Sequence, residues 1–364
     1  MVSDAYKLRI AGLREQIEVA LSRSVADRSW PSSLQSAVEY SLLAGGKRLR
    51  PVLVLLANEL CGGNPGSALP AACAIEMIHT YSLIHDDLPA MDNDDYRRGR
   101  LTNHKVYGEA LAILAGDALL TLAFEMLSQA EVSAGIRAEL MRILAVSAGG
   151  GGMVGGQVLD LEAERGGELS PGGQNSGTAI DKSGSADAVA NGAKTGCGVA
   201  EVADSRQSPG PAAGMAAGLT IPGNSEIAGV VSSRKVAASV EDLNRIHRMK
   251  TGALIAASLE MGAVTAGAGW EQRAELVRYG HCIGLAFQIA DDVLDVTGDA
   301  AKLGKTPGRD VDLGKLTYPA LLGLESSRER AKELVREACG ALKCFGEERH
   351  WLEELAGFIV ERDH

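Results

Sequence analysis

Between His85 and Arg98 the chain reads HDDLPAMDNDDYRR, setting Asp86, Asp87, Asp92, Asp94 and Asp95 within one short stretch and following them at once with Arg97 and Arg98. Carboxylates this crowded repel one another, and on an ordered segment a bound divalent cation relieves them. Ligands that are all oxygen favour a hard ion such as Mg²⁺. A second acidic group, Asp291, Asp292 and Asp295, stands far downstream inside the apolar run GLAFQIADDVLDV. Together with Gln288 these side chains have helical spacing, so they line one face, and a polar stripe in so apolar a segment needs a partner. Two acidic groups, with arginines beside the first, point to chemistry on a diphosphate.

The elements around these residues must bring them together. The spacing predicts a helix from Leu69 to Leu88, on which His79 precedes Asp86 by two turns and so sits near the same face. Asp86 and Asp92 would fall on different faces of an ideal helix. Pro89 lies between them and removes the N–H that would bond back to His85, so the helix ends or distorts there and Asp92 can return towards Asp86 and Asp87. Upstream, a helix opening after Ser33 stops at Gly45-Gly46, and GGKRLRP follows. It reads either as a short basic turn opening a helix, common on any surface, or as a ligand site: its glycines let backbone amides approach a ligand, while Lys47 and Arg50 share one face at a helix start, an arrangement that suits a diphosphate. Further on, VEDLNRIHRMKTGALIAASLEMGA reads as a helix broken at Lys250-Thr251-Gly252. There a cavity-facing lysine and threonine would stabilise positive charge on a substrate or bind its phosphate, or else they would only cap a kink. Lys305, in LGKTPGRD, and Lys315, in LGKLTYP, would ordinarily be solvated.

The composition favours an all-α fold. The 364 residues are 46% hydrophobic but only 4% aromatic, and with abundant Ala and Leu and few β-branched runs this indicates helices packed through aliphatic side chains. A net charge of -11 with no long basic block argues against nucleic-acid binding. The six cysteines show no metal-binding or redox spacing and read as reduced thiols. The N-terminal stretch alternates charge with apolar residues and has no signal-peptide core. No run reaches the ~20 uninterrupted apolar residues that span a bilayer, so a cytoplasmic location is expected. Residues 136–165 read as helical despite AGGGGMVGGQ. Those glycines cost about 1 kcal/mol each in a helix and make sense where another helix or a ligand comes close.

Three parts are expected. Residues 1–165 and 240–364 form one helical domain around a central cavity. Between them, 166–239 holds fourteen glycines and no aromatic residue, too little apolar surface to offset its ordering entropy, and reads as a disordered insertion.

Five motifs in order, GGKRLRP at 45–51, DDLPAMD at 86–92 with RRG after it, GGQVLDL at 155–161, KTG at 250–252 and FQIADDVLD at 287–295, make the sequence resemble the trans-isoprenyl diphosphate synthases, most closely the bacterial type of farnesyl diphosphate synthase. The resemblance implies that Asp86, Asp87, Asp92, Asp291, Asp292 and Asp295 hold Mg²⁺ ions bridging to an allylic diphosphate. Arg97, Lys250, Lys305 and Lys315 would contact that diphosphate. Lys47, Arg50, His79 and Arg98 would bind isopentenyl diphosphate, and Thr251 and Gln288 would face the reacting carbons. It also implies a homodimer, and a reaction that condenses isopentenyl diphosphate with dimethylallyl and then geranyl diphosphate by ionisation, condensation and elimination. No side-chain base is apparent, and the released pyrophosphate takes the proton.

In the same resemblance Tyr81 and Ser82, five and four residues before the first motif, form the floor of the hydrocarbon pocket. A helical turn is about as long as an isoprene unit, so bulky Tyr81 favours the C15 product, farnesyl diphosphate. A geranylgeranyl diphosphate synthase is the nearest alternative. A terpene cyclase would not need GGKRLRP, and a non-catalytic subunit would tend to lose one aspartate motif.

Overall fold

The computed structural model describes residues 3–26, 28–164, 239–297 and 315–361. The segment 166–239, except Ser239, lies outside the described residues, as do Lys305 and Cys197.

Helix α1 (Asp4–Val25) starts at Ser3, whose hydroxyl accepts from the Tyr6 N–H, and buries Leu13, Ile17 and Leu21 at four-residue spacing. Helix α2 (Ser32–Leu42) begins at Pro31, and Ser33 is not its cap. Proline's fixed φ suits a helix start without any side-chain cap. Helix α3 (Leu49–Leu60) is buried along its length from Pro51 to Asn58, as an apolar run such as PVLVLLA requires.

Helix α4 (Pro65–Asp86) starts earlier and stops sooner than its periodicity predicts, because Asn64 caps Gly66 and the turn before Pro89 ends it. A two-stranded hairpin follows, β1 (Tyr96–Arg97) against β2 (Arg100–Leu101). The apolar stretch from Leu101 to Gln129 forms two helices, α5 (Asn103–Tyr107) and α6 (Glu109–Ser128), divided at Gly108 with φ 84°. Helices α7 (Ala134–Ala148) and α8 (Met153–Glu164) come next, separated by the glycine run.

After the undescribed segment, Ser239 and Asp242 form a capping box for α9 (Val240–His247). This assigns Ser239 to the helical domain and not to the insertion. Residues Arg248–Gly252 form one π-helical turn, and α10 (Ala253–Thr265) continues from it. Then come α11 (Trp270–Thr297), α12 (Tyr318–Leu322), α13 (Leu324–Ala341) and α14 (His350–Glu361), the last two joined by short 3₁₀ turns.

The fold is all-α, and α3, α4 and α10 are its centre. Helix α10 packs on α3 and α11, and α4 packs on α3 and α6. Close approach is built in by glycine: a Cβ at Gly262 would meet the Val54 carbonyl at 2.2 Å, and one at Gly280 would meet the Ala256 Cα at 2.6 Å. Helix α6, although interrupted by Asp117 and Glu125, is long and apolar enough to cross a membrane by length and composition. A core helix has the same composition, and α6 packs on α4 and α2. The five cysteines among the described residues are free.

Candidate active site

The first aspartate group sits where α4 ends. With no N–H at Pro89, the Leu88 N–H donates to the His85 carbonyl (3.1 Å), and the chain turns so that the Asp92 N–H donates to the Asp86 carbonyl (2.8 Å). Asp92 is thus returned to Asp86. The Asp86 carboxyl is pushed up to about 6, by burial first, with Asp92 and Asp87 adding to it and Lys250 and Arg97 opposing. Burial and crowding both disfavour charge on these carboxylates, and a cation would offset them. Asp87 also rises through burial, although Arg97 grips its Oδ1 through Nε (2.7 Å) and Nη2 (2.6 Å).

The two arginines are separated by the hairpin turn. Arg98 and Gly99 both have positive φ, 54° and 74°, as the tightest hairpin turns demand. Arg97 therefore reaches Asp87, whereas Arg98 donates to the Gly45 carbonyl. Its guanidinium lies where a Cβ at Gly46 would be, 2.9 Å from Cζ. In GGKRLRP the residues also diverge. Arg48, in the left-handed region at φ 50°, turns inward and is fully buried against Glu18 and Glu76, at 2.7 Å from each. It is structural.

Arg50 and His79 remain beside Arg98. Burial pushes Arg50 down to about 10, with Arg98 adding to the effect and Glu76 opposing it, and its Nε is buried without a hydrogen-bond acceptor. His79 is held well below the usual imidazole range by burial and then by Arg50, Arg98, Arg97 and Arg48. Positive charge here exceeds its local compensation, so the cluster is suited to an anion. Lys47 is exposed at the edge of the same loop.

The second half is set by α8, the π turn and α11. A π turn inserts an extra residue into the helical repeat and redirects the side chains on it. Thr251 is buried there, and Lys250 Nζ lies 2.5 Å from Asp160 Oδ2. The glycines of α8 permit this contact: a Cβ at Gly156 would stand 2.2 Å from the Lys250 backbone nitrogen. Lys250 also acts on Asp86 electrostatically, so α4, α8 and the π turn share one charged region. Asp160 is the residue that motif reading passed over. It stands in GGQVLDL, but its pairing with Lys250 depends on a helix distant in sequence.

On α11 the four polar residues share a helix as predicted, yet they are not equivalent. Gln288 Nε2 donates to Asp291 Oδ2 at 3.5 Å, and both residues are half-buried. Asp292 is buried, accepts from the Tyr318 N–H at 2.9 Å and lies 3.6 Å from His247 Nε2. Asp295 is buried too. Lys315 pairs with Glu164 at 3.4 Å. Among the described residues no three His, Cys, Asp or Glu side chains already converge as a metal cage. Oxygen-only donors and the crowding at Asp86 nevertheless fit a hard divalent cation.

An all-α fold that carries a crowded aspartate turn, a divided arginine pair and a second aspartate helix defines an isoprenoid synthase. The chain belongs to the trans-isoprenyl diphosphate synthases: the polyprenyl synthetase family profile matches residues 31–207 and 225–352. It is 42% identical over 359 residues, 98% of this chain and 83% of the relative, to a dimethylallyltranstransferase of Fischerella ambigua. It is 44% identical to geranylgeranyl pyrophosphate synthase 9 of Arabidopsis thaliana over 92% of this chain and 74% of that one. The crystal structure of an FPP/GFPP synthase from Zymomonas mobilis superposes with a TM-score of 0.70 at 33% identity, covering 98% of this chain and 99% of that chain. The protein is a head-to-tail prenyltransferase, from a family that is generally Mg-dependent.

Proposed function

We propose that this prenyltransferase adds isopentenyl units to an allylic diphosphate as far as geranylgeranyl diphosphate. The C20 reading takes the place of the C15 product that Tyr81 favours in the sequence. Its main support is that several similar chains, at 39–44% identity, bear the name geranylgeranyl synthase. The Tyr81 ring meets His85 one turn along, edge-on, with centroids 5.7 Å apart. Farnesyl diphosphate is the second reading, favoured by the bulk of Tyr81 at the pocket floor beside Ser82.

The observation that carries the chemistry is the divided arginine pair. Arg97 faces Asp87 on the side of Asp86, Asp92 and Lys250, where the allylic diphosphate would bind with Lys315. Arg98 faces Gly45, Arg50 and His79, where, with Lys47, the diphosphate of isopentenyl diphosphate would bind. Asp86, Asp87, Asp92, Asp291, Asp292 and Asp295 would hold Mg²⁺, whose charge would offset that of the leaving diphosphate. Lys250 would exchange Asp160 for the substrate's phosphate oxygens. Thr251 and Gln288 would present dipoles to the allylic cation as the C–O bond breaks, the isopentenyl double bond attacks, and the proton leaves to pyrophosphate. The buried apolar side chains of α3, α4 and α10 would exclude the water that quenches the cation. The role of Lys305 would add to that of Lys250. A homodimer is proposed on the family's behaviour, and exposed Ile113 and Leu114 on α6 give it apolar surface to cover.

The floor assignment is tested by Tyr81→Met. Chain-length analysis of the products is expected to show longer diphosphates than the wild type makes, and an unchanged spectrum would remove Tyr81 from the floor.

A further inference from the structure

At His85, α4 and α6 approach each other over a glycine. A Cβ at Gly116 would lie 2.1 Å from His85 Nε2 and 2.6 Å from Cδ2. No L side chain other than glycine leaves room for the ring where it stands. The ring is also held in direction. Its Nε2 lies 3.1 Å from the Ile113 carbonyl oxygen, which has only lone pairs to offer, so Nε2 carries the proton and donates. The Asp117 carboxylate lies further off, at 3.9 Å from Nε2. His85 also meets the Tyr81 ring at an interplanar angle of 76°, the edge-to-face geometry that aromatic quadrupoles favour. Tyr81 is buried and cannot move without displacing a neighbour.

From these contacts we infer that Gly116 and His85 are positioning residues for product length. Gly116 is the seat of the His85 ring, and His85 fixes how far the Tyr81 ring stands from α6. The inference rests on the reading of Tyr81 as the pocket floor. It adds that the floor is adjustable from a helix that carries none of the family's motifs. Two substitutions then act in opposite directions. Gly116→Ala drives the imidazole off α6 against Tyr81, pushing the tyrosine into the pocket and shortening the chain. His85→Ala removes the edge partner, lets Tyr81 relax towards α6 and lengthens the chain. In Gly116→Ala/His85→Ala the new methyl group occupies the vacated space, and the shortening disappears.

The test is the ratio of C15 to C20 products made by the purified full-length protein from isopentenyl and dimethylallyl diphosphates with Mg²⁺, with circular dichroism as a check on folding. Gly116→Ala is expected to raise the ratio roughly tenfold, the discrimination that about one methylene of pocket space carries. His85→Ala is expected to lower it, and the double variant is expected to match His85→Ala. If Gly116→Ala fails to fold, His85→Ala alone still decides. Unchanged ratios in the folded variants, with Tyr81→Met still lengthening the product, would overturn the seat while leaving the floor in place. If Tyr81→Met also changes nothing, the floor reading itself has failed. A ratio that moves the same way in Gly116→Ala and His85→Ala would contradict the proposed direction of movement and overturn the inference.

Discussion

At the residue scale, the three basic side chains of GGKRLRP do different work. Arg48 is locked to Glu18 and Glu76 inside the protein, and Arg50 lies beside His79 and Arg98 with its Nε lacking an acceptor. Spacing placed Lys47 and Arg50 on one face. It could not show that Arg48 turns inward, since that depends on its left-handed backbone and on an acidic residue of α4. The basic cluster has a measurable pH consequence. An unfolded imidazole protonates near 6.5, whereas burial and the surrounding arginines hold folded His79 well below that. The unfolded chain therefore binds the extra proton first. The contribution of His79 to stability is fully present above about pH 6.5 and is lost as pH falls below it. Thermal melting of the metal-free protein should show a smaller loss between about pH 7 and pH 5 in His79→Gln than in the wild type. Inorganic diphosphate should reduce the wild-type loss, because a bound anion offsets the arginines. Identical profiles for the two proteins would show that His79 is not held neutral.

At the scale of the element, the aspartate turn was legible and the π turn only half so. Pro89 announces that α4 cannot continue, and the Asp92 to Asp86 hydrogen bond is the return this allows. For KTG the sequence signals a break but not its kind, because a π turn depends on what packs against it. What packs against it is glycine: Gly156 of α8 lies against the Lys250 backbone, and Gly284 of α11 lies against Gly252. This also accounts for AGGGGMVGGQ, whose glycines were expected to admit a close neighbour. The stripe on α11 was foreseen as one face. That Asp292 is drawn to Tyr318 and His247 was not, because both partners come from other helices. Gly156→Ala should cost about 1–3 kcal/mol of stability through overpacking. It should also reduce turnover by up to about 100-fold through misplaced Lys250 and Thr251, as measured by denaturant unfolding and steady-state kinetics. A fall in turnover no larger than the unfolded fraction would mean that the turn serves packing alone.

For the whole molecule, composition alone identified an all-helical protein, and motif order identified its family, because helices built from Ala and Leu have few other ways to bury 46% hydrophobic residues. Product length was the least legible property. Tyr81 read alone points to C15, while several similar proteins are named geranylgeranyl synthases, and the proposed floor draws on side chains of both α4 and α6, which no single motif shows. The segment 166–239 interrupts none of the five motifs, and the internal gap in the family profile's match, residues 208–224, falls inside it. Deleting residues 168–236 should leave turnover nearly unchanged, and loss of activity in a deletion variant that still folds would give the segment a part in catalysis.

The most direct test of the account is to incubate the purified protein with isopentenyl diphosphate, dimethylallyl diphosphate and Mg²⁺ and to resolve the products by mass. The predicted result is a series of diphosphates growing by isoprene units and ending at geranylgeranyl diphosphate. Absence of any condensation, or release of hydrocarbons that have lost their diphosphate without elongation, would contradict it.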